Sequence, residues 1–131
     1  MAGQNYGEVY NKLSRFIKFD FPGFMKDKAV KATNISVLRD YNSKSKQEIG
    51  SRIEGVIVKD NSDYQAEGVS NLYKRIVFKV NKPLDDVHVK VGDLIEGVNV
   101  KAKVYGQYQN QLSISCDDVR VVNPQAQGRR I

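Results

Sequence analysis

The sequence predicts an all-β fold: a small five-stranded barrel that follows an N-terminal, partly helical arm. Three observations carry this expectation. From Ala29 onward, five runs rich in β-branched residues alternate with period two and are separated by turn-forming stretches. The 131 residues, 40% hydrophobic and 27% charged, suit one globular core, at a size where folding buries roughly two-thirds of the unfolded chain's surface. The first 28 residues have a different, helix-like spacing. The expected division is therefore an arm over residues 1–28, a barrel over 29–122 and a tail over 123–131.

In the arm, Val9, Leu13, Phe16 and Ile17 fall at i, i+4, i+7 and i+8, one apolar stripe of a short amphipathic helix between Tyr6 and Phe19. Pro22 and Gly23 are expected to end any helix and begin a turn. Four of the five phenylalanines (Phe16, Phe19, Phe21 and Phe24) lie here, outside the β-rich body. Such a surface needs cover. Three covers are open: the arm packs on its own barrel, docks on a neighbouring copy with Val9, Leu13, Phe16, Ile17, Phe19, Phe21 and Phe24 as the contact set, or stacks directly on nucleic acid.

The five strands are expected at about Ala29–Arg39, Ile49–Asp60, Leu72–Val80, Leu94–Tyr105 and Gln109–Val122. In the third, Leu72, Ile76, Phe78 and Val80 share one face, and Tyr73, Arg75, Val77 and Lys79 the other. In the fourth, Leu94, Val98, Val100, Ala102 and Val104 form the inward set, with Lys101, Lys103 and Tyr105 outward. Leu112, Ile114 and Cys116 continue the inward pattern in the fifth. The loop DYNSKSKQE joins strands one and two, and the longer NSDYQAEGVSN, holding Tyr64, joins two and three. Gly106, in YGQYQNQ, can supply a positive φ for a turn. The polar, proline-broken tail NPQAQGRRI is expected to be disordered.

Composition narrows the function. Twenty-one Lys+Arg against 15 Asp+Glu give a net charge of +6, and a basic domain attracts polyanions because neutralised phosphates release counterions. No apolar run reaches the ~18 residues of a membrane span, and MAGQNYGEVYNK has no secretory pattern. A single cysteine, Cys116, forms no disulfide framework and fits a reducing cytoplasm.

Reactive groups are few. His88 is the only histidine, and Cys116 occupies an inward strand position where a thiol behaves as a small apolar group. No Cys/His spacing suits zinc. The scattered Gly50, Gly55 and Gly68 match no phosphate loop. Asp117 and Asp118 point to opposite faces of a strand, and Asp85–Asp86 follows Pro83 in a turn that favours aspartate. The expectation is a protein without enzymatic activity, metal or cofactor.

What remains is an alternation of cations with aromatic rings, the two ingredients of sequence-tolerant single-strand binding. Tyr73, Arg75 and Lys79 supply it on strand three, and Lys101, Lys103 and Tyr105 on strand four. Tyr108 lies in the adjoining turn, Arg39, Lys44 and Lys46 in and beside the first loop, and Tyr64 in the second. With no tryptophan, each stack is modest and the electrostatic share large, which predicts steep salt dependence and leaves duplex DNA open as a ligand. RNA also remains open, because stacking faces treat it like DNA unless the 2′-hydroxyl is contacted. So does a protein-interaction barrel whose charge is incidental.

The stretch VKVGDLIEGVNVKAKVYGQYQNQLSISCDDVRVV resembles the last two strands of the OB fold, and GVIVKD followed by LYKRIVFKV resembles the second and third strands of single-stranded-DNA-binding proteins. The whole chain resembles the small OB-fold DNA-binding proteins encoded in conjugative-plasmid transfer operons, the PrgE type. That resemblance implies single-stranded DNA binding during plasmid processing or transfer in a bacterial cytoplasm, with Tyr73, Arg75, Lys79, Lys101, Lys103 and Tyr105 in the family's aromatic and basic strand positions. Two departures stand out. The end QGRRI lacks the acidic, Phe-tipped tail of replicative single-strand binders, and NKPLDDVHVKVGD leaves room for little more than a turn where many OB domains carry a helix. The added arm suggests copies lined along DNA, each arm packing on the next barrel. Such a head-to-tail contact does not close on itself.

Overall fold

The computed structural model describes residues 7–40, 42, 44, 47–108 and 110–122. Lys46 and the tail 123–131 lie outside the described residues. The chain is mostly β. Its strands are β1 (Lys28–Arg39), β2 (Glu48–Asp60), β3 (Arg75–Val80), β4 (Leu94–Val98), β5 (Lys101–Tyr105), β6 (Gln111–Cys116) and β7 (Asp118–Val121). They form one mixed sheet in the order β5-β6-β3-β2-β1-β4-β7, antiparallel except for β3 beside β6.

The expected five-stranded barrel is thus corrected to a seven-stranded sheet without a closing ladder. The fourth and fifth expected strands each break in two. Asn99, at φ 53°, separates β4 from β5, and Asp117 separates β6 from β7. Asn tolerates the left-handed region better than other side chains because its short amide bonds locally. Each break slips the in–out phase by one residue. In β4 the buried side chain is Ile95, not the expected Leu94 or Val98, which are half-buried. After Asn99 the even-numbered Val100 and Ala102 pack on the core, as the sequence indicates. Likewise Ile114 and Cys116 point inward before Asp117 and Val119 after it.

Strand spacing shows the sheet's shape. β4 and β5 stand five strand gaps apart in the row, roughly 24 Å at about 4.8 Å per gap. Yet Val98 and Lys101 are three peptide steps apart, about 11 Å at most. The row therefore curls, bringing β4 near β5 at this corner, where Asp117 N–H donates to the Val98 carbonyl (3.0 Å) and Asn99 Nδ2 to Asp117 Oδ2 (3.1 Å). Inside the curl lie Val30, Ala32, Ile53, Ile57, Ile76, Phe78, Val80, Ile95, Ile114, Cys116 and Val119. Gly55 lets β1 bend close, since a Cβ there would sit 2.5 Å from Val30 Cγ1.

Tyr73 and Leu72 do not belong to β3. Tyr73, at φ 69°, stands in a turn whose Lys74 N–H donates to the Asn71 carbonyl, while its own N–H bonds Ile57 O at 2.7 Å. Leu72 is exposed rather than inward. Gly106 takes the expected positive φ, 94°. Between β3 and β4 there is only a 3-10 turn, Leu84–Asp86, as the short linker suggests.

The arm also departs from expectation. Only a four-residue 3-10 turn, Leu13–Phe16, forms where an amphipathic helix is expected, and Val9, Leu13, Phe16 and Ile17 stay exposed. Nucleating a lone helix of this length costs more than its few hydrogen bonds return without a surface to bury the stripe. Pro22, expected to end a helix, instead starts one: α1 (Phe21–Met25) is capped by Asp20, whose Oδ1 accepts from Gly23 N–H (3.0 Å). Phe21 and Met25 pack on the chain's own core, while Phe19 and Phe24 meet ring to ring at 5.5 Å.

Candidate nucleic-acid interface

The outward side chains of the curled sheet line up in rows across strands. Cross-strand pairing places Ser36, Arg52, Lys79, Ser115 and Lys101 in one row over β1, β2, β3, β6 and β5. A second row, two residues along, begins Asn34, Glu54, Val77 and finishes with the pair Ser113 and Lys103. Tyr105 stands beyond Lys103 on β5, opposite Gln111. These rows floor an open trough of about 600 Å³ lined by Leu38, Arg52, Val77, Lys79, Lys103, Tyr105 and Leu112. An adjoining cleft of about 300 Å³ shares Leu38 and Lys79 and adds Lys101.

Of the residues expected from sequence, Lys79, Lys101, Lys103 and Tyr105 meet here. Lys79 Nζ donates to Ser113 Oγ (3.1 Å). None of the three lysines is in an ion pair with a described residue, so their charge faces solvent. Arg75 lies on the same face, but its guanidinium bonds Glu54 Oε1 at 3.2 Å. Arg52, which sequence reasoning passed over, bonds Glu54 Oε2 at 2.6 Å. The hydrogen bond from Asn34, with the charges of Arg52 and Arg75, outweighs burial and holds the Glu54 carboxyl below its ordinary range. Alternation along β2, with Ser51 and Ile53 inward, is the signal that would have found Arg52.

Other expected residues lie elsewhere. Tyr108 is exposed in the turn after β5, and Lys44 in the turn after β1. Arg39 ends β1 beside Glu48 (3.4 Å). Tyr73 is 74% exposed beyond the start of β3, outside the trough lining. Tyr64 belongs to a buried knot at the far ends of β1 and β2. Its hydroxyl donates to Asp60 Oδ2 (2.8 Å) and accepts from Asn71 Nδ2 (2.9 Å). Asp60 also receives the Asn71 and Ser62 backbone N–H groups and pairs with Lys28 Nζ (3.5 Å), both side chains fully buried. Burial pushes the Asp60 carboxyl up, but these hydrogen bonds win and hold it far below the usual carboxylate range. Lys28 in turn donates to Phe24 O and Ser62 Oγ and lies 4.0 Å over the Phe24 ring.

Burial pushes the Cys116 thiol up to about 11, which leaves it protonated near neutrality. Asp118 pairs with Lys82 (3.0 Å) while Asp117 accepts from Asn99. Among the described residues no group of three or more His, Cys, Asp or Glu side chains could hold a metal, and no helix is long and apolar enough to cross a membrane. Comparison with protein-family models, curated proteins and solved structures finds no match to this chain.

Proposed function

We propose that this chain is a non-enzymatic, largely sequence-independent binder of single-stranded DNA. One observation carries the reading: Lys79 and Lys103, in no ion pair with a described residue, share an open trough with Arg52 and the half-exposed ring of Tyr105, and the equally unpaired Lys101 lines the cleft that adjoins it. Cations there follow a sugar–phosphate backbone, and the ring offers a face to a base. The finer fold we assign is the OB plan, with Asn99 and Asp117 as corners inside its fourth and fifth strands. The parallel pairing of β3 with β6 and the sheet's curl support it. The sequence resemblance supports a role in DNA processing or plasmid transfer in a bacterial cytoplasm. The exposed Val9, Leu13, Phe16 and Ile17 support assembly of copies along DNA through the arm. Deleting residues 1–26 tests that part, which fails if DNA-bound oligomers persist.

The test of binding is fluorescence anisotropy with labelled ~30-mer single-stranded DNA, duplex DNA and RNA across a salt series. Affinity for single-stranded DNA that falls steeply with salt, and falls again in the Lys79→Ala/Lys103→Ala variant, is expected. Equal duplex affinity would assign the binding to backbone contacts rather than stacking, and preference for RNA would reassign the ligand. Failure to bind all three at low salt removes the function.

A further inference from the structure

Lys103 lines a second cleft besides the trough. This one, about 850 Å³, lies between the outer strand β5 and the arm, and its walls are Arg15, Phe16, Ile17, Lys18, Phe19 and Asp20 opposite Ala102, Lys103 and Val104. We propose that the path of the single strand continues over β5 into this cleft, so that the arm binds nucleic acid in addition to any contact it makes with another copy. The inference rests on the binding function proposed above and extends its footprint.

The chemistry of the cleft fits a polyanion with flat bases. Arg15, Lys18 and Lys103 face one carboxylate, Asp20, and an oxygen of that carboxylate already accepts from Gly23 N–H at the start of α1. Neither Arg15 nor Lys18 is in an ion pair with a described residue. Phe16 lies between them in sequence and is 82% exposed, its ring uncommitted to the core. Phe19 is different, being engaged with the rings of Phe21 and Phe24, and so it forms a wall. Cation, open aromatic face and cation within four residues repeat on the arm what β5 offers with Lys101, Lys103 and Tyr105. A strand lying over Lys103 would meet Arg15 and Lys18 as its next cations, with Phe16 free to stack a base. The volume lies within the roughly 300–1,000 Å³ of concave sites that enclose small organic molecules.

The test is a length series of oligothymidylates, with affinity read by anisotropy and stoichiometry by analytical ultracentrifugation at one protein per oligonucleotide. Wild type and the Arg15→Ala/Phe16→Ala/Lys18→Ala variant should bind the shortest oligonucleotides alike, because these fill only the trough. On longer ones wild type should gain affinity and the variant should lag by at least about fivefold, the lower end of what losing one base–aromatic stack costs. The variant's salt slope should be shallower by about 1.4, from two phosphate contacts at roughly 0.7 each on single strands. Phe16→Tyr alone should keep the gain. Equal affinities and slopes at every length overturn the proposal, as does a defect seen only where several proteins share one oligonucleotide, which would assign the cleft to a neighbouring copy's chain. Failure of the underlying function looks different: wild type would then bind no length at all.

Discussion

Two lysine sites in this molecule share a residue type and differ in everything around it. At the far ends of β1 and β2, Lys28 is sealed from solvent and bonded to Asp60, Ser62 and the Phe24 carbonyl. In the trough and the cleft beside it, Lys79, Lys101 and Lys103 face water in no ion pair with a described residue. The first holds arm, sheet and second loop together. The second holds charge in readiness. A buried cation must find its partners inside the chain, whereas an exposed one left without a partner keeps its full attraction for a polyanion.

Breaking the knot should have the largest effect. Asp60→Ala leaves the Lys28 ammonium buried and uncompensated, and should lower stability by about 3–5 kcal/mol in chemical denaturation; a loss below ~1 kcal/mol would show the pair to be dispensable. Its pH dependence follows from the depressed carboxyl. Because the folded value lies below the ordinary 3.8, this stabilisation is fully present above about pH 4 and is lost as pH falls toward the folded value. Wild type should therefore lose more stability than Asp60→Asn on acidification below pH 4, and parallel curves would refute the assignment.

In the trough the signs reverse. Lys79→Ala/Lys103→Ala should cost about tenfold in single-strand affinity and flatten the salt slope by about 1.4, with stability unchanged within about 0.5 kcal/mol. Tyr105→Ala should weaken binding by about 1 kcal/mol while leaving the slope alone, since a stack carries no charge. The smallest change sharpens the contrast most. Tyr64→Phe should cost roughly 0.5–1.5 kcal/mol of stability through its lost hydroxyl bonds and leave oligonucleotide affinity untouched; a binding defect would return Tyr64 to the interface.

Much of this was legible in the sequence. Ile76, Phe78, Val80, Ile114 and Cys116 announce their burial by alternation, and Lys79, Lys101, Lys103 and Tyr105 announce their exposure. The corners did not show, because a β-rich run with one left-handed residue reads as one unbroken strand; Asn99 itself was the available sign. The knot was invisible for another reason. Lys28 and Asp60 are neighbours only through the pairing of β1 with β2, and no local pattern reports contacts that distant. For α1, the cap Asp20 followed by Pro22 was readable as a start, but Pro and Gly together suggested a stop. The apolar stripe from Val9 to Ile17 had helical spacing and found no partner surface to make the helix worthwhile.

The corner at Asn99 has a consequence for how the trough could have arisen. In β4 the odd-numbered Ile95 faces the core; in β5 the odd-numbered Lys101, Lys103 and Tyr105 face out. Had the alternation run unbroken, both lysines and the tyrosine would have pointed into the apolar interior, and Ala102 and Val104 into water. The basic rim of the trough is thus a matter of phase, set by the left-handed backbone of a single corner residue. Insertions or deletions of one residue between Val98 and Lys101 would invert that rim wholesale, whereas paired changes of two would spare it, so length variation here should come in even steps.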